Sequence, residues 1–235
     1  MARRITSKQR LTLDLQALVQ ALEEFMNRQD GEGRRICDAT CGVYAFYDYD
    51  GEPIYVGQTH ERLRVRIRRH LTNQRTDAVA MHVLDPMEVA RVEVWPMWDL
   101  EEASKPNRKK ALNAAEFTVF RKLTQEAHVT RLLNEKAPPK DDLVELPASY
   151  VGEIVNDELR ARLGHADERI ARRASTIADL AKVIRERDVS PGLRQTLVTQ
   201  AERLEHLAKR RLGEVAGETT PSQTKRETRR EADAD

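Results

Sequence analysis

Only two cysteines, Cys37 and Cys41, occur in 235 residues. Their spacing suits half a zinc site, but no Cys or His pair of complementary spacing completes it. A structural zinc is therefore not expected, and reduced thiols packed near the start of a first strand are. No apolar run approaches the roughly 18 to 20 residues that a membrane-spanning helix needs. Met1-Ala2-Arg3-Arg4 leads into a polar segment rather than an apolar signal core, so a cytoplasmic protein with no membrane partner is expected. An excess of one charge is missing too: 40 Lys and Arg stand against 39 Asp and Glu, for a net charge of +1. That balance excludes a uniformly basic chain and leaves only local patches to meet a polyanion.

What is present is unevenly placed. Residues 43–57 are rich in aromatic and β-branched side chains and are interrupted once, by Asp50-Gly51. Asp-Gly supplies the positive φ of a tight turn while its flanks favour extended backbone, which predicts a β-hairpin. Along its first arm Val43, Ala45 and Tyr47 alternate with Tyr44, Phe46 and Asp48, giving two distinct faces. Tyr44 and Tyr55 fall on neighbouring strands and are placed to share a surface. Gly42 and Gly57 lack a Cβ, so a phosphate backbone or another strand can come close to either. Residues 60–75 then carry six arginines against one glutamate. As a helix, this segment puts Leu63, Ile67 and Leu71 on an apolar side and Arg62, Arg66, Arg69 and His70 on another. A second basic cluster, Lys105, Arg108, Lys109 and Lys110, precedes an apolar stretch in which Glu116 is surrounded nearly all round. A carboxylate there is expected to be half-buried and to need a partner such as a cation. The two patches form an electrostatic footprint for a phosphate backbone, so affinity for DNA should fall steeply with salt. Arg62, Arg64, Arg69, Lys109 and Lys110 are the candidate contacts.

Gly42-Val43-Tyr44 and Tyr55-Val56-Gly57 resemble the two halves of the GIY-YIG nuclease signature, with valine for isoleucine in both. The resemblance continues through Arg66 and His70, then Glu116, then Asn134 in Arg131-Leu132-Leu133-Asn134-Glu135, and so covers about residues 41–137. Among the crowded arginines Arg66 is preferred because only it has His70 one turn on. The resemblance implies a divalent-metal-dependent DNA endonuclease. In it Tyr44 is the general base, Arg66 clamps the phosphate, Tyr55 and His70 orient water or Tyr44, and Glu116 holds Mg²⁺ or Mn²⁺ against the scissile phosphate. Asn134 completes the set, or is a cap or turn residue. A phenol is only about 0.1% ionised at pH 7, so such a base needs positive charge beside it. One carboxylate suits Mg²⁺, which keeps several waters and borrows phosphate oxygens, better than Zn²⁺. Helices wrapped before and after the core are similar to the restriction-enzyme branch, in which a homodimer cuts both strands. The other readings are a repair or structure-specific nuclease, and an inactive nucleic-acid-binding or regulatory module; the complete residue set weighs against the module.

The expected architecture is α/β: a three-stranded antiparallel sheet from residues 42–48, 53–58 and 89–97, flanked by helices near 61–72 and 110–126, plus a C-terminal helical hairpin. Four segments follow. Residues 1–36 hold an amphipathic helix marked by Leu15, Leu18, Leu22, Phe25 and Met26. The nuclease core spans 37–140, and a linker and the helical hairpin span 141–216. In that hairpin Ile170, Ile177 and Ile184 form a stripe that resumes with Leu193, Leu197, Leu204 and Leu207 after Ser190-Pro191-Gly192. It is also a candidate docking element for a protein partner. Residues 217–235 are polar and are expected to be a disordered tail. Trp95 and Trp98 are expected to pack on the sheet rather than stack on a base.

Overall fold

A computed structural model describes residues 7–72, 83–129 and 131–217; the expected polar tail, beyond Gly217, lies outside them. The element order is α1 (Ser7–Met26), β1 (Gly42–Tyr47), β2 (Pro53–Thr59), α2 (Leu63–Leu71), β3 (Arg91–Pro96), α3 (Lys105–Glu126), β4 (Tyr150–Glu153), α4 (Asp157–Leu163), α5 (Ala166–Glu186) and α6 (Pro191–Ala216). The fold is α/β as expected, but the sheet has four strands rather than three, in the antiparallel order β2-β1-β3-β4. The added strand comes from a region read as linker. It is only four residues long and borrows its regularity from β3, with Val92 opposite Gly152 and Glu93 opposite Val151. So short a segment carries almost no periodicity of its own. The C-terminal part holds three helices rather than two, α4 preceding the pair α5 and α6 that lie against each other.

The first two strands form the expected hairpin. Its turn runs through Gly51 at φ 77°, and the Asp48 carboxylate accepts from the backbone N–H groups of Asp50 and Glu52. A bulge between Phe46 and Tyr47 shifts the register, after which Phe46 faces Tyr55 and Tyr44 faces Gly57. Alternation gives the sheet two buried faces. On one, Tyr44, Phe46, Val92 and Val94 pack against Leu18, Leu22 and Phe25 of α1 and Leu63, Ile67 and Leu71 of α2. On the other, Val43, Ala45, Val56 and Trp95 pack against Ala115, Val119 and Leu123 of α3. Two helical layers thus enclose the sheet, and the β1–β2 hairpin is buried on both sides. Trp95 is buried, and Arg34 stacks on the Trp98 ring at 4.5 Å, so both tryptophans are packing residues. Cys37 and Cys41 are free and buried just ahead of β1.

The C-terminal helices grip the hairpin turn through charge. Asp48 is buried and takes Arg169 of α5 at 3.0 Å, Arg173 of α5 at 2.9 Å and Arg203 of α6 at 3.2 Å. Arg173 also reaches Glu88 at 2.9 Å, and Arg210 reaches Asp50 at 2.9 Å. Arg169, fully buried, retains its charge. Burial disfavours the guanidinium, but Asp48, Glu88 and Asp50 together outweigh that and raise its pKa.

Candidate active site

The β1–β2 hairpin and α2 build a compact aromatic and cationic cluster. The Tyr44 side chain is fully buried, and its hydroxyl lies 2.9 Å from His70 Nε2. Arg66 Nε–H donates to the same oxygen at 3.2 Å. Arg66 and His70, four residues apart on α2, share the helix face turned to the sheet edge. The Tyr55 ring completes the group, 5.1 Å from the His70 ring and 6.2 Å from the Tyr44 ring, centre to centre. Burial disfavours the Arg66 charge, yet its interaction with the Tyr44 phenol, then with Tyr55 and Glu61, more than compensates. A guanidinium that stays charged beside a phenol favours the phenolate.

Gly57 explains how the hydroxyl gets there. A Cβ on that residue would lie 2.5 Å from the Tyr44 hydroxyl oxygen, so the ring reaches the edge of the sheet by crossing a strand position that has no side chain. The close approach that a missing Cβ allows is used here by the protein itself. A Cβ on Gly42 would likewise meet the Trp95 carbonyl at 2.6 Å.

Glu116 arrives from the opposite layer, on α3. Gln58 Nε2 donates to its carboxylate at 3.0 Å and to Asn113 Oδ1 at 2.7 Å. Burial pushes the Glu116 carboxyl up. The Gln58 side-chain and backbone donors and the Arg66 charge oppose that. Arg66 therefore acts on both halves of the cluster, donating to Tyr44 and electrostatically stabilising Glu116. They can adjoin because β2 is an edge strand, with no further strand to separate the layers. Asn134 covers this same edge: its amide accepts from Val56 N–H at 3.2 Å and donates to Val56 C=O at 2.7 Å. Leu133 N–H adds a bond to Ile54 C=O at 2.7 Å.

Of the candidate phosphate contacts, Arg62 is exposed at the start of α2, and Lys109 and Lys110 are exposed on α3. Arg69 pairs with Glu61 at 2.7 Å. Arg64 points away from the cluster, paired with Asp38 at 2.7 Å and bonded to Asn27 at 3.0 Å near the end of α1. Gln58 was missed by reasoning from sequence; its only signal is its place directly after Gly57.

Among the described residues, no group of three or more His, Cys, Asp and Glu side chains could hold a metal by itself. A divalent cation nevertheless suits the place where Glu116 sits. The carboxylate is half-buried, and Gln58 Oε1 beside it is buried with no hydrogen-bond partner, an orphan of the kind a cation or its water would satisfy. Among the described residues no helix is long and apolar enough to cross a membrane.

No curated protein and no solved structure matches this chain. A family model does match, over residues 40–112, a span that takes in Tyr44, Tyr55, Arg66 and His70 and stops short of Glu116 and Asn134. The matching model is that of the GIY-YIG catalytic domain, so residues 40–112 resemble the catalytic domain of a nuclease family whose members are generally divalent-metal-dependent DNA endonucleases.

Proposed function

We propose that the chain hydrolyses DNA phosphodiesters with Tyr44 as general base. The observation that carries this reading is the setting of the Tyr44 hydroxyl, 3.2 Å from a guanidinium N–H and 2.9 Å from an imidazole nitrogen. Arg66 accommodates negative charge on the phenol oxygen and extends toward the nonbridging oxygens of a bound phosphate. His70 Nε2 takes the phenol proton, leaving Tyr44 able to deprotonate an attacking water. Tyr55 packs against both rings and keeps their orientation. Glu116 is the protein ligand for Mg²⁺ or Mn²⁺, a cation that supplies charge stabilisation to the phosphate and the leaving 3′-oxygen. Asn134 acts as a positioning residue, since its amide is committed to the β2 backbone.

The working core in this reading is 37–140, enclosed by α1 and the C-terminal helices. Arg62, Lys109 and Lys110 are placed to meet the phosphate backbone, with Arg69 and Arg64 released from their acid partners or acting through them. One such site cuts one strand, so duplex cleavage requires a homodimer or two successive events. Restriction or another form of DNA defence is the role we favour. Helices packed both before and after the core support it.

Incubation of the purified chain with plasmid, single-stranded and branched DNA tests the reading. Cleavage is expected with Mg²⁺, none with chelator, and none from Glu116→Gln under either condition. Turnover that persists in chelator, or in that variant, removes the metal and Glu116 from the mechanism. Nicking confined to branched DNA by a monomer favours repair or structure-specific processing instead.

A further inference from the structure

We infer that Gln58 belongs to the cation site, its side-chain oxygen serving with the Glu116 carboxylate as a second protein oxygen for the divalent ion. The inference rests on the reading of Glu116 as the metal ligand and adds a residue to it.

Three features of Gln58 carry the argument. First, the amide orientation is fixed. Nε2 faces two acceptors, Asn113 Oδ1 at 2.7 Å and Glu116 Oε2 at 3.0 Å, so a flipped amide would set its oxygen against both. Second, that orientation leaves Oε1 buried with no partner among the described residues. A buried amide oxygen without a donor costs on the order of 1–3 kcal/mol, and such groups persist where a water or ion satisfies them. Third, the residue is held at both ends. Its backbone N–H is turned toward the Glu116 carboxylate and favours its charge, and its position on β2 directly follows Gly57, over which Tyr44 lies. The side chain therefore lies against the α3 carboxylate with its one unused atom an acceptor.

The donor set is coherent for a hard cation. Mg²⁺ and Mn²⁺ take oxygen ligands, neutral amide oxygens among them, and fill the remaining positions with water and substrate phosphate. Asn113 contributes indirectly. It lies one turn before Glu116 on α3, and its acceptor keeps Nε2 turned away from the ion.

Binding of Mn²⁺ alone to the full chain, measured by electron paramagnetic resonance without DNA, separates the possibilities. Gln58→Met keeps the length and removes both amide atoms; it should weaken Mn²⁺ about 10-fold or more. Gln58→Glu returns an oxygen and should bind Mn²⁺ at least as tightly as the native chain. Equal affinity of Gln58→Met and the native chain overturns the inference, as does equal weakening of both variants, which would leave Gln58 acting only by holding Glu116. Glu116→Gln runs alongside: if it binds Mn²⁺ as the native chain does, the underlying assignment of Glu116 fails, whatever Gln58 does. Crystals of the native chain soaked in Mn²⁺ give a check that needs no variant. An anomalous peak should touch oxygens of both residues, at about 2.0–2.2 Å, and a peak on Glu116 alone rejects the proposal.

Discussion

At the turn end of the β1–β2 hairpin, Arg169, Arg173 and Arg203 meet Asp48 and Glu88; at its open end, Arg66 meets a phenol and, among the described residues, no carboxylate within ion-pair distance. Both sets of guanidinium groups are largely withdrawn from water. In the first, nearly every charge is neutralised inside the protein, so the cluster has no capacity left for an anion and serves to fasten the turn to α5 and α6. In the second, Tyr44, with Tyr55 and the more distant Glu61, keeps the cation charged although no carboxylate touches it, which in the proposed mechanism leaves it able to accept a phosphate. The contrast shows that arginine content alone identifies neither role. What decides is whether an acid stands opposite.

Substitutions at the two ends should therefore fail in different ways. Tyr44→Phe should lower kcat by about 10²–10⁴-fold, with DNA binding held within a few fold and thermal unfolding almost unchanged; a variant that still turns over at the native rate would erase the distinction from the active-site side. Asp48→Ala should do the reverse. It leaves three buried guanidinium groups without their shared acceptor, and about 3–5 kcal/mol of stability should be lost in denaturant titration. If stability falls by less than about 1 kcal/mol, the turn cluster is not what holds the C-terminal helices. A chain ending near residue 150 should for the same reason lose the cooperative unfolding of the intact protein.

Gly57→Ala sharpens the comparison further. The new Cβ would lie 2.5 Å from the Tyr44 hydroxyl oxygen and 2.7 Å from the ring carbon that bears it, in a fully buried ring, so the hydroxyl should be displaced and the melting temperature should fall as well. A misplaced hydroxyl of this kind costs on the order of 10²-fold in rate, read as kcat on plasmid DNA. The smallest effect concerns His206, near the turn. Burial lowers its pKa, assisted by His128 and Arg210 and opposed by Glu52 and Asp50. Because the folded state binds the proton less readily than the unfolded chain, stability from this group is present above pH 6.5 and declines as pH falls below it. His206→Gln should flatten that limb of a melting curve series taken between pH 7.5 and about 5.

The hairpin was readable because Asp50-Gly51 and the alternation around it are local signals, and residues 43 to 57 contain both partners of the pairing. The same holds for the apolar side of α2, where Leu63, Ile67 and Leu71 are buried as their spacing demands. The fourth strand was not readable, since four residues paired to a strand more than fifty positions earlier leave no local trace. Nor was the turn cluster. A stripe of Ile170, Ile177 and Ile184 suggested an apolar seam in α5, yet the fully buried side chain beside it is Arg169, whose acceptors lie on distant segments. Charged residues read as surface by default, and only the tertiary partner reverses that. Gln58 escaped for a related reason: an amide acquires meaning from what it is aimed at, and neither Asn113 nor Glu116 is near it in sequence.

The β2 strand closes one side of the sheet, and an unpaired strand of that kind normally invites a second chain to add itself by backbone pairing. Here the outward groups of Ile54 and Val56 are taken by Leu133 and by the Asn134 amide, and the Gln58 N–H is turned toward the Glu116 carboxylate. The side chains to which the proposed mechanism gives the chemistry thus also cover a strand margin that would otherwise be open to pairing.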